Sequence, residues 1–110
     1  MKTFFIDIKP ISTNSCWQGR RFRTIEFKKW QEAVIYALPD KKVKGKKLKV
    51  HIDLYFQHPL KMDADNYVKA ILDCVVKKKI IEDDRYIFEL SVKKHKDKIE
   101  GFRIDISTCG

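Results

Sequence analysis

Cysteine, glycine and histidine are scarce in this 110-residue chain, and each scarcity removes a class of function. The three cysteines, Cys16, Cys74 and Cys109, are odd in number, widely spaced and free of any CxxC pair. That excludes a disulfide framework and a cysteine-built zinc site, and it suits a reducing cytoplasm. The four glycines are isolated, so no glycine-rich loop can cradle a phosphate, and no serine sits in an elbow motif. His51, His58 and His95 are scattered and form no ligand pair along the chain, which speaks against zinc and histidine-nucleophile schemes. No apolar run nears the roughly 20 residues that span a bilayer. The start imitates a signal peptide for only three apolar residues, Phe4 to Ile6, before Asp7 interrupts it. The expectation is a cytoplasmic protein with no export and no membrane partner. No small-molecule substrate is indicated either.

What the chain has is charge. Lysine and arginine outnumber aspartate and glutamate by 24 to 15, giving a formal net charge of +9. Six lysines fall between Lys41 and Lys49, three arginines at Arg20, Arg21 and Arg23, and further lysines at 77–79 and 93–98. Any one such run is ordinarily a solvated loop. Together they suit a polyanion, because nucleic acid binds basic patches through phosphate neutralisation and counterion release.

The patterning describes one domain over residues 1–110. Phe4, Ile6 and Ile8 alternate with Phe5, Asp7 and Lys9 as a strand over 3–9, ended by Pro10. A polar loop from Pro10 to Gly19 follows. Thr24 is placed to cap a helix over 25–38 with apolar residues at Phe27, Trp30, Ala33, Val34 and Ala37. Leu48, Val50, Ile52, Leu54 and Phe56 alternate with polar residues as the cleanest strand of the chain. A second helix, capped by Asp65 or Asn66, presents Val68, Ile71, Leu72, Val75 and Val76 at helical spacing. Tyr86, Phe88, Leu90 and Val92 make a further strand, and a hairpin around Gly101 leads into Phe102, Ile104 and Ile106. The order is β-α-β-α-β-β: an α+β domain with both helices packed on one mixed sheet.

Against this basic background, five aspartates gather at Asp63, Asp65, Asp73, Asp83 and Asp84, with Asn66 and Lys69 among them. Carboxylates crowded together repel unless a cation stands between them, and a divalent one is the simplest candidate. Asp63 and Asp65 are two apart, so on extended chain both can face one ion. Asn66, Lys69 and Asp73 are spaced to share a helical stripe. A helix-and-strand return is expected to bring Asp84 back beside Asp63 and Asp65. An EF-hand does not fit, because Val68 and Cys74 stand where its glycine and glutamate belong. Either acidic fragment alone reads as a cap and a turn.

The pattern D-x-D-N-x-x-K-x-x-x-D followed by D-D and a strand resembles the RusA family of Holliday-junction resolvases. Here it is Asp63, Asp65, Asn66, Lys69, Asp73, Asp83 and Asp84. Ser12-Thr13-Asn14 ahead of the arginines is similar to that family's S-x-N segment. Cys74-Val75 departs from the alanine-leucine that usually follows the helical aspartate, and the lysine-rich loop at 41–49 has no role to carry over. The resemblance implies a homodimeric endonuclease that binds four-way DNA junctions and makes paired nicks with Mg²⁺ or Mn²⁺. In it, Asp63, Asp65 and Asp84 are the metal-binding catalytic carboxylates, and Lys69 is catalytic or contacts the phosphate. Asn66, Asp73 and Asp83 support them, and Arg20, Arg21 and Arg23 track the DNA. Two other readings stay open on the residues alone: a DNA-binding module without catalysis, and a nuclease for other branched DNA or for RNA.

Overall fold

The computed structural model describes residues 2–12, 17–18, 22–23 and 25–109, with the backbone alone at 2, 17–18 and 22–23. Its elements are β1 (Lys2–Ile6), β2 (Trp17–Gln18), β3 (Phe22–Arg23), α1 (Ile25–Ala37), β4 (Leu48–Phe56), α2 (Val68–Lys77), β5 (Ile87–Lys96) and β6 (Gly101–Thr108). Short 3₁₀ turns fall at Pro59–Lys61, Ala64–Tyr67 and Asp84–Tyr86. The expected α+β order is present, with two helices and a four-stranded mixed sheet. The minute β2–β3 pair is an addition, in a segment the sequence reads as loop. The Thr24 cap lies outside the described residues.

Strict alternation in β4 builds the core. Leu48, Val50, Ile52, Leu54 and Phe56 are completely buried on one face. On that face β6 sets Ile106, Ile104 and Phe102 directly opposite Val50, Ile52 and Leu54. Phe27, Trp30 and Val34 of α1 and Ile71, Cys74 and Val75 of α2 close over them. Each such side chain contributes about 1.5–3 kcal/mol of hydrophobic stabilisation. Cys74 is therefore a core residue.

The sheet runs β1-β6-β4-β5 in space, with β4 and β5 parallel and the other pairs antiparallel. This corrects the expected hairpin, because β4 lies between β5 and β6. The 97–100 turn instead bridges the end of β4, where Asp97 N donates to Phe56 O (3.0 Å) and Gln57 Nε2 to Lys98 O (3.0 Å). β1 also stops at Ile6, short of the expected residue 9. Among the described residues its one partner, β6, begins at Gly101, and Ile6 already pairs with Phe102. A Cβ on Gly101 would stand 2.6 Å from the Ile6 carbonyl oxygen, so only glycine fits that start. On edge strand β5 the alternation breaks at Phe88, the extra residue between the Leu48–Ile87 and Lys49–Glu89 pairs, and its side chain is exposed.

Candidate active site

The acidic turn hangs from the C-terminal end of β4. Pro59 opens a 3₁₀ turn, a place where its fixed φ costs nothing. Lys94 lies opposite Leu54 on β5 and so points to the helix-bearing face. Its Nζ donates to Pro59 O (3.0 Å) and Met62 O (2.7 Å), tying the segment to the sheet just ahead of Asp63. Tyr67 anchors the other side of the turn. Its ring packs on Phe56, and its hydroxyl donates to Met62 Sδ (3.1 Å). Burial, then the nearby carboxylates of Asp63 and Glu100, push the Tyr67 hydroxyl above its ordinary pKa. With Tyr67 turned inward, Asp63 and Asp65 are left exposed on the outside of the turn.

The helix start differs from the expectation. Asp63 is extended, Ala64–Tyr67 forms a 3₁₀ turn with Asn66 N donating to Asp63 O (3.0 Å), and α2 begins only at Val68. Neither Asp65 nor Asn66 caps α2. Its first flanking residue is Tyr67, with no side-chain cap. The extended-chain argument for aligning Asp63 with Asp65 also lapses, because Asp65 sits inside a four-residue 3₁₀ turn. Lys69 is exposed in the first turn of α2, and Asp73 is half-buried one turn on. Asn66 and Asp73 both interact with neighbouring groups.

The second acidic fragment divides into two parts. Asp83 caps the turn that follows it, accepting a hydrogen bond from Arg85 N (3.0 Å). That bond, with help from Asp84 and the Arg85 charge, outweighs desolvation and holds the Asp83 carboxyl below its usual range. Arg85 in turn is raised by its hydrogen bond to the Tyr86 hydroxyl and by Tyr86 and Asp83 charge. Asp84 is exposed at the start of this turn.

Asp84 does not return beside Asp63 and Asp65 within the chain. Because β5 runs parallel to β4, the crossover through α2 delivers residue 84 to the start of β5, where Ile87 faces Leu48. The 63–65 turn is tied to Lys94, seven residues further along, or roughly 20 Å of strand. Among the described residues no three His, Cys, Asp or Glu side chains are grouped so as to hold a metal ion. Asp63 and Asp65 offer hard oxygen donors of the kind Mg²⁺ takes, filling two of its six octahedral positions if each binds through one oxygen.

A family model described as endodeoxyribonuclease RusA matches residues 12–107, a span that takes in both acidic fragments. The chain belongs to the RusA family. No curated protein gave a significant match.

One further feature of this RusA-family chain escapes a linear reading, and it does not involve the arginines of the 20–23 run. Arg20 and Arg21 lie outside the described residues, as does the side chain of Arg23. On the sheet face away from the helices, His51 Nε2 and His95 Nε2 both donate to Asp53 Oδ1, at 3.0 and 2.7 Å, and Arg103 reaches Oδ2 at 3.3 Å. His51 Nδ1 lies 2.6 Å from Ser91 Oγ. Burial would raise the Asp53 pKa, but the hydrogen bonds from His95 and His51 and their charge win, and the carboxyl stays below its ordinary value. Two of the three histidines that look scattered in sequence thus meet at one carboxylate. The alternation of His51 with Asp53 was a signal, whereas the partnership of His95 needed the register of β5. Among the described residues, no helix is long and apolar enough to cross a membrane.

Proposed function

We propose that the chain is a homodimeric, divalent-cation-dependent endonuclease. It resolves four-way (Holliday) DNA junctions by paired symmetric nicks and serves DNA recombination and repair. The observation that carries the reading is the family match across two exposed acidic fragments that lie at opposite ends of β5. A twofold axis perpendicular to β5 reverses its direction, so two copies related by such an axis bring the start of one β5 to the end of the other. Each site then consists of Asp63 and Asp65 of one subunit with Asp84 of the partner subunit. A pair of such sites also suits the near-twofold symmetry of a junction.

These three carboxylates would hold Mg²⁺ or Mn²⁺, which when bound supplies neutralisation of phosphate charge and Lewis acidity. Lys69, exposed a turn beyond Asp65, places an ammonium against the charge that builds on the phosphate oxygens in the transition state. Asn66 orients the acidic turn from behind, Asp73 steadies Lys69 along the helix, and Asp83 fixes the turn that presents Asp84. Water attacks phosphorus and the P–O3′ bond breaks, leaving 5′-phosphate and 3′-hydroxyl ends. The net charge of +9 suits the DNA, with Arg20, Arg21, Arg23 and Lys69 on its backbone.

Subunit mixing tests the shared site. Asp65→Asn and Asp84→Asn homodimers should each cleave a labelled junction in Mn²⁺ roughly a hundred-fold or more slowly than wild type. Co-expressed with different tags, the mixed dimer keeps one intact site. It should nick one strand of the junction at a rate near that of a single wild-type site. Mixed dimers as inactive as their parents would overturn the shared site, and an Asp65→Asn protein at full rate would overturn the nuclease.

A further inference from the structure

The lysine-rich segment between α1 and β4 is held, not loose. Val43 N donates to Ile80 O (2.8 Å), and Cys109 N donates to Lys47 O (2.8 Å). Between this segment and the end of α2 opens a cavity of about 660 Å³, with Val43 and Ile80 in its wall and Lys42, Lys44, Lys46 and Lys79 around it, against one acid, Glu82. Neighbouring lysines are occupied elsewhere. Lys77 donates to Gln31 Oε1 (3.3 Å), Lys78 pairs with Asp40 (3.3 Å), Lys47 lies over the Phe88 ring, and Lys49 pairs with Glu89 (3.8 Å).

Lys79 is the informative member. α2 ends with Lys79 N donating to Val76 O (2.9 Å) and Ile80 N to Val75 O (3.1 Å), the double bond of a Schellman close. The residue at that corner must be left-handed, and Lys79 has φ +67°. Glycine takes this conformation freely, whereas a side chain there costs roughly 1 kcal/mol or more. A lysine held where glycine is cheaper, with its side chain lining a basic cavity, points to use of its ammonium.

We propose that this cavity is a DNA-contact site that seats the sugar–phosphate backbone of one junction arm, an inference that rests on the nuclease reading above. The lysines take the phosphates, and their stems with Val43 and Ile80 lie against the sugars. Glu82 precedes Asp84 by two residues, so the cavity sits at the Asp84 end of β5. In the antiparallel dimer it serves the partner's acidic turn: the subunit that lends Asp84 also holds the DNA entering that site.

The test is binding of a labelled four-way junction in EDTA across a salt series, so that no cleavage intervenes. The cavity variant carries Lys42→Gln, Lys44→Gln, Lys46→Gln and Lys79→Gly, the last chosen because glycine relieves the backbone and keeps the fold. A charge-matched control carries Lys28→Gln, Lys29→Gln, Lys96→Gln and Lys98→Gln, all at exposed positions. The cavity variant should lose about three from the slope of log K against log salt, as expected for that many phosphate contacts, and the control less than about one. Equal losses in the two variants, or a cavity variant that binds like wild type, would overturn this inference while leaving the nuclease standing. A wild-type protein that binds no junction would sink both.

Discussion

At one end of β5 two exposed carboxylates, Asp63 and Asp65, stand on a turn that Lys94 ties to the sheet. At the other end one carboxylate, Asp84, stands at the end that carries a lysine-lined cavity. The first end sets two exposed carboxylates beside Lys94 and Lys69, and the second sets exposed Glu82 and Asp84 beside the four lysines of the cavity. The parallel pairing of β4 and β5, which looks like a matter of fold, therefore decides where the acidic residues stand: it separates two acidic fragments that an antiparallel return would have brought together.

The sharpest way to break the comparison is at the acidic end. Asp63→Asn should lower junction cleavage by roughly a hundred-fold or more while leaving junction binding in EDTA close to wild type. Single-turnover cleavage against a binding isotherm separates the two. Next comes the tether. Lys94→Met keeps the stem but strips two charged hydrogen bonds from Pro59 and Met62, so stability should fall by about 1–3 kcal/mol in urea unfolding. Cleavage should fall by roughly ten-fold with KM little altered, because the turn loses its aim. The same substitution should leave the lysine end untouched.

Between the ends lies Asp53, which takes part in neither. Its folded pKa is depressed, so its stabilisation is present in full above the unfolded carboxylate pKa of about 4 and is lost as pH falls through the folded value. Asp53→Asn should therefore be destabilised at pH 7 by about 1–3 kcal/mol. The gap to wild type should narrow as pH falls below about 4. Denaturant melts from pH 7 to pH 3 report this. The smallest effect belongs to Lys79→Gly alone, which should raise stability by up to about 1 kcal/mol while weakening junction binding slightly. A lysine that contributed only to the fold would show no such opposition between stability and binding.

Local periodicity made much of the architecture legible. The period-2 pattern of β4 is clear because one of its faces is fully buried beneath the helices, and α1 follows from its apolar stripe. The placement of β6 between β1 and β4 was not legible, since strands adjacent in sequence usually pair and no local signal says otherwise. The late start of α2 was hidden because Asp65 and Asn66 are good caps that the chain instead spends on a 3₁₀ turn. In the acidic cluster, residue types and spacing were readable, but Asp84's position depends on strand direction, which no stretch of residues encodes. That His95 joins His51 at Asp53 was invisible for the same reason, although the alternation of His51 with Asp53 was not.

The insertion of β6 has a consequence for assembly. Among the described residues the opening strand pairs with one that arrives about a hundred residues later, and that late arrival also forms one wall of β4. A fragment lacking residues 101–108 would leave β1 unpaired and strip β4 of an entire edge, so partial structures gain little before the last segment docks. Folding should accordingly be slow for so short a chain and all-or-none, with opening and closing strands protected from hydrogen exchange together.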